Sequence, residues 1–330
     1  MSEQEVTPAP KPAAAASSNG LLLAFVTLVW LGAMLWSARE TITGRDNAEM
    51  EVTSSAYALP GAISAALVAG STVALAVLAL MRRRGELGAT TRFIIATGAG
   101  LLVGVLGAVV IVTINTEGWL YAVMGGTVAA AATIGGAVAG FRIPRVVTAV
   151  GWASVAVFVV GFLLNIFQGP LLDLLSSGET SSQANASQWF SYGQGALSGL
   201  AAGIVSYRVL RRARARSGGL DVPWPLYGLA GAGAGLLLVI AEILTRTAGS
   251  RVLDLAGRVS ELELVVQQML SGARLNSALI VLFVGAISAT IAVGRTISPG
   301  TEDDSAPDED TDSDAPAAPI KSQARPTSAS

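Results

Sequence analysis

The 330-residue chain contains no cysteine and no histidine. Disulfides, Cys/His zinc sites, histidine-ligated haem, thiol nucleophiles and imidazole acid–base catalysis are therefore excluded, and no cofactor is implied. Charge is also scarce. Only 13% of residues are Asp, Glu, Lys or Arg, against roughly 25% in a soluble domain. Nineteen of the 21 basic residues are arginine, and Ala, Gly and Val abound, a usage that points to a GC-rich bacterial coding bias. Apolar residues take up 52% of the chain, and mean hydropathy is +0.58. Too little polar surface remains to face water on every side. One membrane body with polar tails is expected, although the length alone would allow two domains.

A helix needs about 20 mainly apolar residues to cross the hydrocarbon, where each backbone polar group must be satisfied internally. Eight segments meet this, at about 20–38, 57–81, 93–115, 118–141, 146–170, 188–207, 224–245 and 275–295. The expected fold is an all-α polytopic membrane bundle of about eight transmembrane helices spanning 20–298, with tails at 1–19 and 299–330. The first segment reads as an anchor, because its apolar stretch is long and no small-residue cleavage site follows it.

Arginine sets the orientation. With both termini inside, fifteen of the 21 basic residues lie on the inner side, among them Arg82, Arg83, Arg84, Arg208, Arg211, Arg212, Arg214 and Arg216. Basic loops resist translocation, so that side is cytoplasmic. The run "RVLRRARARSGG" at 208–219 is then a stop after the sixth span. It can also meet anionic lipid headgroups, at about 1 kcal/mol per basic residue. Nucleic acid is not an expected partner, because the run lacks interleaved aromatics and an adjoining folded domain. Trp36, Trp119, Tyr121, Trp189 and Tyr192 fall near the outer interface, and Tyr207, Trp224 and Tyr227 near the inner one. Amphipathic rings favour both places.

Burial alone does not drive helices together in lipid, whereas close approach through small residues does. Such residues recur at four-residue spacing: Gly136 and Gly140, Gly195, Gly199 and Gly203, and Gly231 and Gly235. The main expectation is packing within the bundle. The alternative is that the ridge 195–203 faces a partner subunit. "GLAGAGAG" at 228–235 is no phosphate loop, since it lacks the GK[ST] ending and lies inside a span.

Ionisable residues at membrane depth usually mark function, and this chain nearly lacks them. Glu242, with Arg246 one turn later, is the one acid within a span. An interfacial ion pair is the first expectation. A polar outer mouth, shared with Asn165, Gln168, Asn115 and Glu117, is the second. A pump coupled to protons through a mid-membrane acid is disfavoured.

Beyond the seventh span, Val252, Leu255, Val259, Leu262, Val266 and Met269 alternate spacings of three and four. That is a heptad seam, so an extracytoplasmic amphipathic helix is expected at about 250–270, ended by "SGAR" at 271–274. It would lie on the membrane or other loops, self-associate, or dock a partner. Both tails are expected to be disordered: 1–19 is Ala/Pro/Ser-rich, and 299–330 is dense in acids and proline.

Three function classes follow. The first is a non-catalytic scaffold or accessory subunit of a bacterial cell-envelope assembly, with a membrane-protein partner or a second copy of itself. The second is a permease or channel for a small solute. The third, an intramembrane enzyme acting on lipid or glycolipid, has no catalytic motif behind it.

Overall fold

Apolar runs in lipid satisfy their backbone by folding as helices, and helices make up the fold. The computed structural model describes residues 13–43, 48–82, 85, 88–114, 118–141, 143–175, 180–216 and 223–295. Its helices are α1 (Ala13–Thr43), α2 (Ala48–Met81), α3 (Ala89–Val112), α4 (Trp119–Ala139), α5 (Pro144–Ile166), α6 (Gln168–Leu175), α7 (Thr180–Arg216), α8 (Trp224–Thr247), α9 (Ser250–Val259) and α10 (Glu261–Gly294). No strand occurs among the described residues. α1 begins within the tail expected to be disordered, and the acidic tail 299–330 lies outside the described residues.

Seven helices, α1 to α5, α8 and α10, are long and apolar enough to cross a membrane. That is the make-up of a multi-pass membrane protein. α7 contains the remaining expected span, 188–207, but falls short on apolarity because Gln188, Ser191, Gln194, Ser198 and Ser206 dilute it.

Small residues pack inside beside large ones such as Leu59, Ile63, Leu67 and Tyr121, with Ala62, Ala65, Ala66 and Ala69 of α2 at most 1% exposed. Other large side chains point outward, including Leu102 and Leu106 of α3 and Phe283, Ile287 and Ile291 of α10. Lipid tolerates the large residues, while the small ones let backbones touch. Gly100 of α3 meets Gly136 of α4, and Gly104 meets Ala129, so α3 and α4 run antiparallel. Gly231 and Gly235 of α8 lie against α10 in the same antiparallel sense. Gly195, Gly199 and Gly203 of α7 face Ile280, Val284 and Ser288 of α10 in turn, which makes that pair parallel. The ridge on α7 is thus occupied within the chain. Gly140 packs against Phe93 of α3.

One packing order occurs twice. α1 packs on α2, α2 on α3 and α4, and α3 on α4; correspondingly α5 packs on α7, α7 on α8 and α10, and α8 on α10. Short sequence matches sit at equivalent places. "GAGLL" occurs at 98–102 in α3 and 233–237 in α8, while "GAIS" at 61–64 in α2 answers "GALS" at 195–198 in α7. The second set differs by two inserted helices, α6 and α9.

The segment after α8 corrects an expectation. The helix expected at 250–270 is broken at Ser260, whose backbone is extended and whose Oγ accepts a hydrogen bond from Leu262 N at 3.2 Å. A serine hydroxyl that caps the next helix competes with continuation of the previous one. The heptad seam is therefore split between two helices. Val252 on α9 is fully buried and Leu255 half-buried, whereas Leu262 and Met269 on α10 are 72% and 71% exposed and Val266 is half-buried. The side chain of Val259 lies outside the described residues. "SGAR" does not end a helix either, because α10 runs through it. α9 lies against α2, α4 and α10 at one end of the bundle.

Candidate functional site

Glu242 stands on the interior face of α8, 3% exposed. A carboxylate so placed needs partners on both oxygens. Arg246, one turn along the same helix, donates from Nε to Oε1 at 3.0 Å. The other partners come from α10. Arg274 donates from Nε to Oε2 at 3.0 Å, and Ser271 Oγ donates to Oε1. Because α10 continues through 271–274, Ser271 and Arg274 sit three residues apart on one face and reach α8 together. Arg246 Nη2 also donates to the backbone oxygen of Ser271 at 2.9 Å, tying the end of α8 to α10. The cluster joins one carboxylate to two guanidiniums.

Beside it lies a cavity of about 320 Å³. α2 contributes Pro60 and Ser64, α5 Val157 and Gly161, α7 Ser191, Gln194 and Ser198, α8 Leu238 and Glu242, and α10 Arg274 and Ser277. Pro60 leaves α2 unbroken; the Ser64 hydroxyl donates to its carbonyl at 2.9 Å. Gln194 Nε2 donates to Gly161 O at 3.3 Å and bridges α7 to α5. Ser191, Gln194 and Ser198, three of the five polar residues that dilute α7, line this cavity, while Leu197, Leu200 and Ile204 point outward. A second cavity of about 320 Å³ adjoins it and is nearly all apolar, walled by Trp30, Met34, Phe158 and Leu237. There Trp30 stacks on Phe158, with ring centres 4.5 Å apart.

Of the outer polar mouth, the structure brings together Glu242 and Arg246. Asn165 is exposed and Gln168 half-buried, and neither lines the cavity. Asn115 and Glu117 lie outside the described residues. Sequence reasoning missed Arg274, Ser271, Gln194 and Trp30, which contribute to the site across tens to hundreds of residues. A second acid–hydroxyl contact, part-buried, runs from Tyr121 to Glu51 and links α4 to α2. Among the described residues no group of His, Cys, Asp and Glu could hold a metal ion.

At the ends of α2 and α7, Arg82, Arg211, Arg212, Arg214 and Arg216 are exposed, and Arg83 and Arg84 lie outside the described residues. Arg211 donates to the Tyr207 hydroxyl at 3.0 Å and lies over its ring. No protein-family model matches the chain, and neither a curated protein nor a solved structure matches it. Fold and site define a class all the same: a helical, multi-pass membrane protein with a buried ion cluster beside a two-part cleft.

Proposed function

We propose that this chain is a non-catalytic component of a bacterial cell-envelope assembly, embedded in the plasma membrane by eight crossings with both termini in the cytoplasm. One observation carries the assembly reading. α10 has 34 residues, or about 50 Å of helix against about 30 Å of hydrocarbon, so one end protrudes. On its first turns Leu262, Val265 and Met269 form an exposed apolar stripe beside Glu263 and Gln268. Large apolar side chains grouped on a protruding helix fit a protein partner or a second copy of the chain.

The eighth crossing is supported by α7, which runs parallel to α10 from Gly195 to Gly203. A helix that tracks a crossing helix in this way lies at the same depth. Much of its lower apolarity comes from Ser191, Gln194 and Ser198, which line the cavity. Arg214 and Arg216 in its last turn, like Arg82 after α2, favour a cytoplasmic end and contact with anionic headgroups.

Native electrophoresis of the mildly extracted protein, with the mass of each band measured, tests the assembly. Expected is a stoichiometric complex heavier than one chain, which Leu262→Glu with Met269→Glu reduces to the lone chain. A lone chain that moves a solute across vesicle membranes contradicts this reading. It would favour the second one, a permease or channel for a small solute, which draws its support from the cavity between α2, α5, α7, α8 and α10.

A further inference from the structure

The two adjoining cavities differ in chemistry and share a wall. Ser64, Val157 and Leu238 line both, so a waist of three side chains separates them. Each holds about 320 Å³, within the range of about 300–1,000 Å³ usual for small-molecule sites. One chamber carries polar groups on part of an otherwise apolar wall, and the other is nearly all hydrocarbon.

The ion cluster at the wall of the polar chamber carries surplus positive charge, two guanidiniums to one carboxylate, and of these groups Glu242 and Arg274 line the chamber. Glu242 is the only acid in its lining, and two guanidiniums already hold that carboxylate. A donor is also left over. Arg274 Nη2 is buried and makes no hydrogen bond, although Nε of the same side chain is bound to Glu242. In the apolar chamber the buried indole Nε1 of Trp30 is likewise unpaired. Buried donors without acceptors are destabilising, and a guanidinium donor gains most from an anion.

We propose that the two chambers are one binding site for a single-chain amphiphile with an anionic head. The head, a carboxylate or a phosphate monoester, takes the free Nη2 of Arg274 in the polar chamber. The tail passes between Ser64, Val157 and Leu238 and ends under Trp30 and Phe158. A single tail is specified because one apolar chamber of this size adjoins the head. This site goes beyond the assembly reading and does not rest on it.

The test uses the full chain in nanodiscs of neutral phosphatidylcholine and measures binding of radiolabelled palmitate. Saturable binding is expected, displaced by unlabelled palmitate or by lysophosphatidate but not by hexadecanol. The stronger competitor shows whether the natural head is a carboxylate or a phosphate. Arg274→Gln should weaken binding roughly tenfold or more, the cost of losing a charge-assisted hydrogen bond. Arg274→Lys, which keeps the charge and guards against misfolding as the cause, should retain most of the affinity. Val157→Phe should block the waist and weaken binding while leaving Arg274 in place. Absence of saturable binding overturns the proposal, as does hexadecanol competing as well as palmitate. So does unchanged affinity in both Arg274→Gln and Val157→Phe. A failure here leaves the assembly reading standing, since that is read from the mass of the extracted complex.

Discussion

Replacing Glu242 with alanine should destabilise the folded protein by about 3–5 kcal/mol, the usual cost of removing one partner from a buried ion pair. The carboxylate is 3% exposed and receives Nε of both Arg246 and Arg274 at 3.0 Å. Without it, two guanidiniums face each other near Ser271 with nothing between them. The partners should not be equivalent. Arg246 lies on the same helix as Glu242, and such one-turn pairs are worth only about 0.3–0.5 kcal/mol where exposed; its side chain is 42% exposed. Arg274 is less exposed, at 30%, and joins α10 to α8. Thermal unfolding in detergent should therefore rank the losses Glu242→Ala, then Arg274→Ala, then Arg246→Ala. Arg246→Ala proving as costly as Arg274→Ala would show that the Arg274–Glu242 pair is not the main tie between the two helices and that the Arg246 bond to Ser271 O holds them as strongly.

Gly231→Leu should produce the other large loss. A Cβ at Gly231 would overlap the backbone oxygen of Gly285, and one at Gly285 would overlap that of Gly231. Both obstacles are main chain, so no rotamer change relieves them and the helices must part. Overpacking commonly costs about 1–3 kcal/mol, and in lipid the lost contact is itself the main attraction between helices. Since α10 also carries Ser271 and Arg274, separation should loosen the Glu242 cluster as well. Gly126 on α4 supplies the control, because a Cβ there meets nothing within 4 Å. Gly126→Ala should be neutral or stabilising by up to about 1 kcal/mol through helix propensity. Equal losses at Gly126 and Gly231 would refute close packing as the cause.

Much of the fold was legible because the bilayer imposes one length and one secondary structure on apolar runs. α3, α4, α5 and α8 start and stop within a few residues of the expected spans for that reason. The outer segment was harder to read. Periodicity counts apolar positions but carries no term for a serine that caps a new helix, and so the seam from Val252 to Met269 read as one element. "SGAR" read as a stop, yet Ser271 and Arg274 are held in helix by their bonds to Glu242 and Arg246. The same long-range contact explains why half of the ion cluster was missed. Glu242 and Arg246 share a helix turn and are visible in sequence, while Arg274 reaches Glu242 only after α9 intervenes and the chain turns back. The doubled packing order was obscured by its short matches, "GAGLL" being the longest noted, and by the insertion of α6 and α9.

The account depends most on α7 passing through the membrane beside α10 and leaving its arginines in the cytoplasm. Because the chain has no native cysteine, Ser181→Cys and Ser217→Cys each report alone, one from either end of that helix. With a membrane-impermeant maleimide, Ser181→Cys should label in intact cells and Ser217→Cys only after permeabilisation. Labelling of both positions from the same side would mean that α7 does not cross, and would contradict the account.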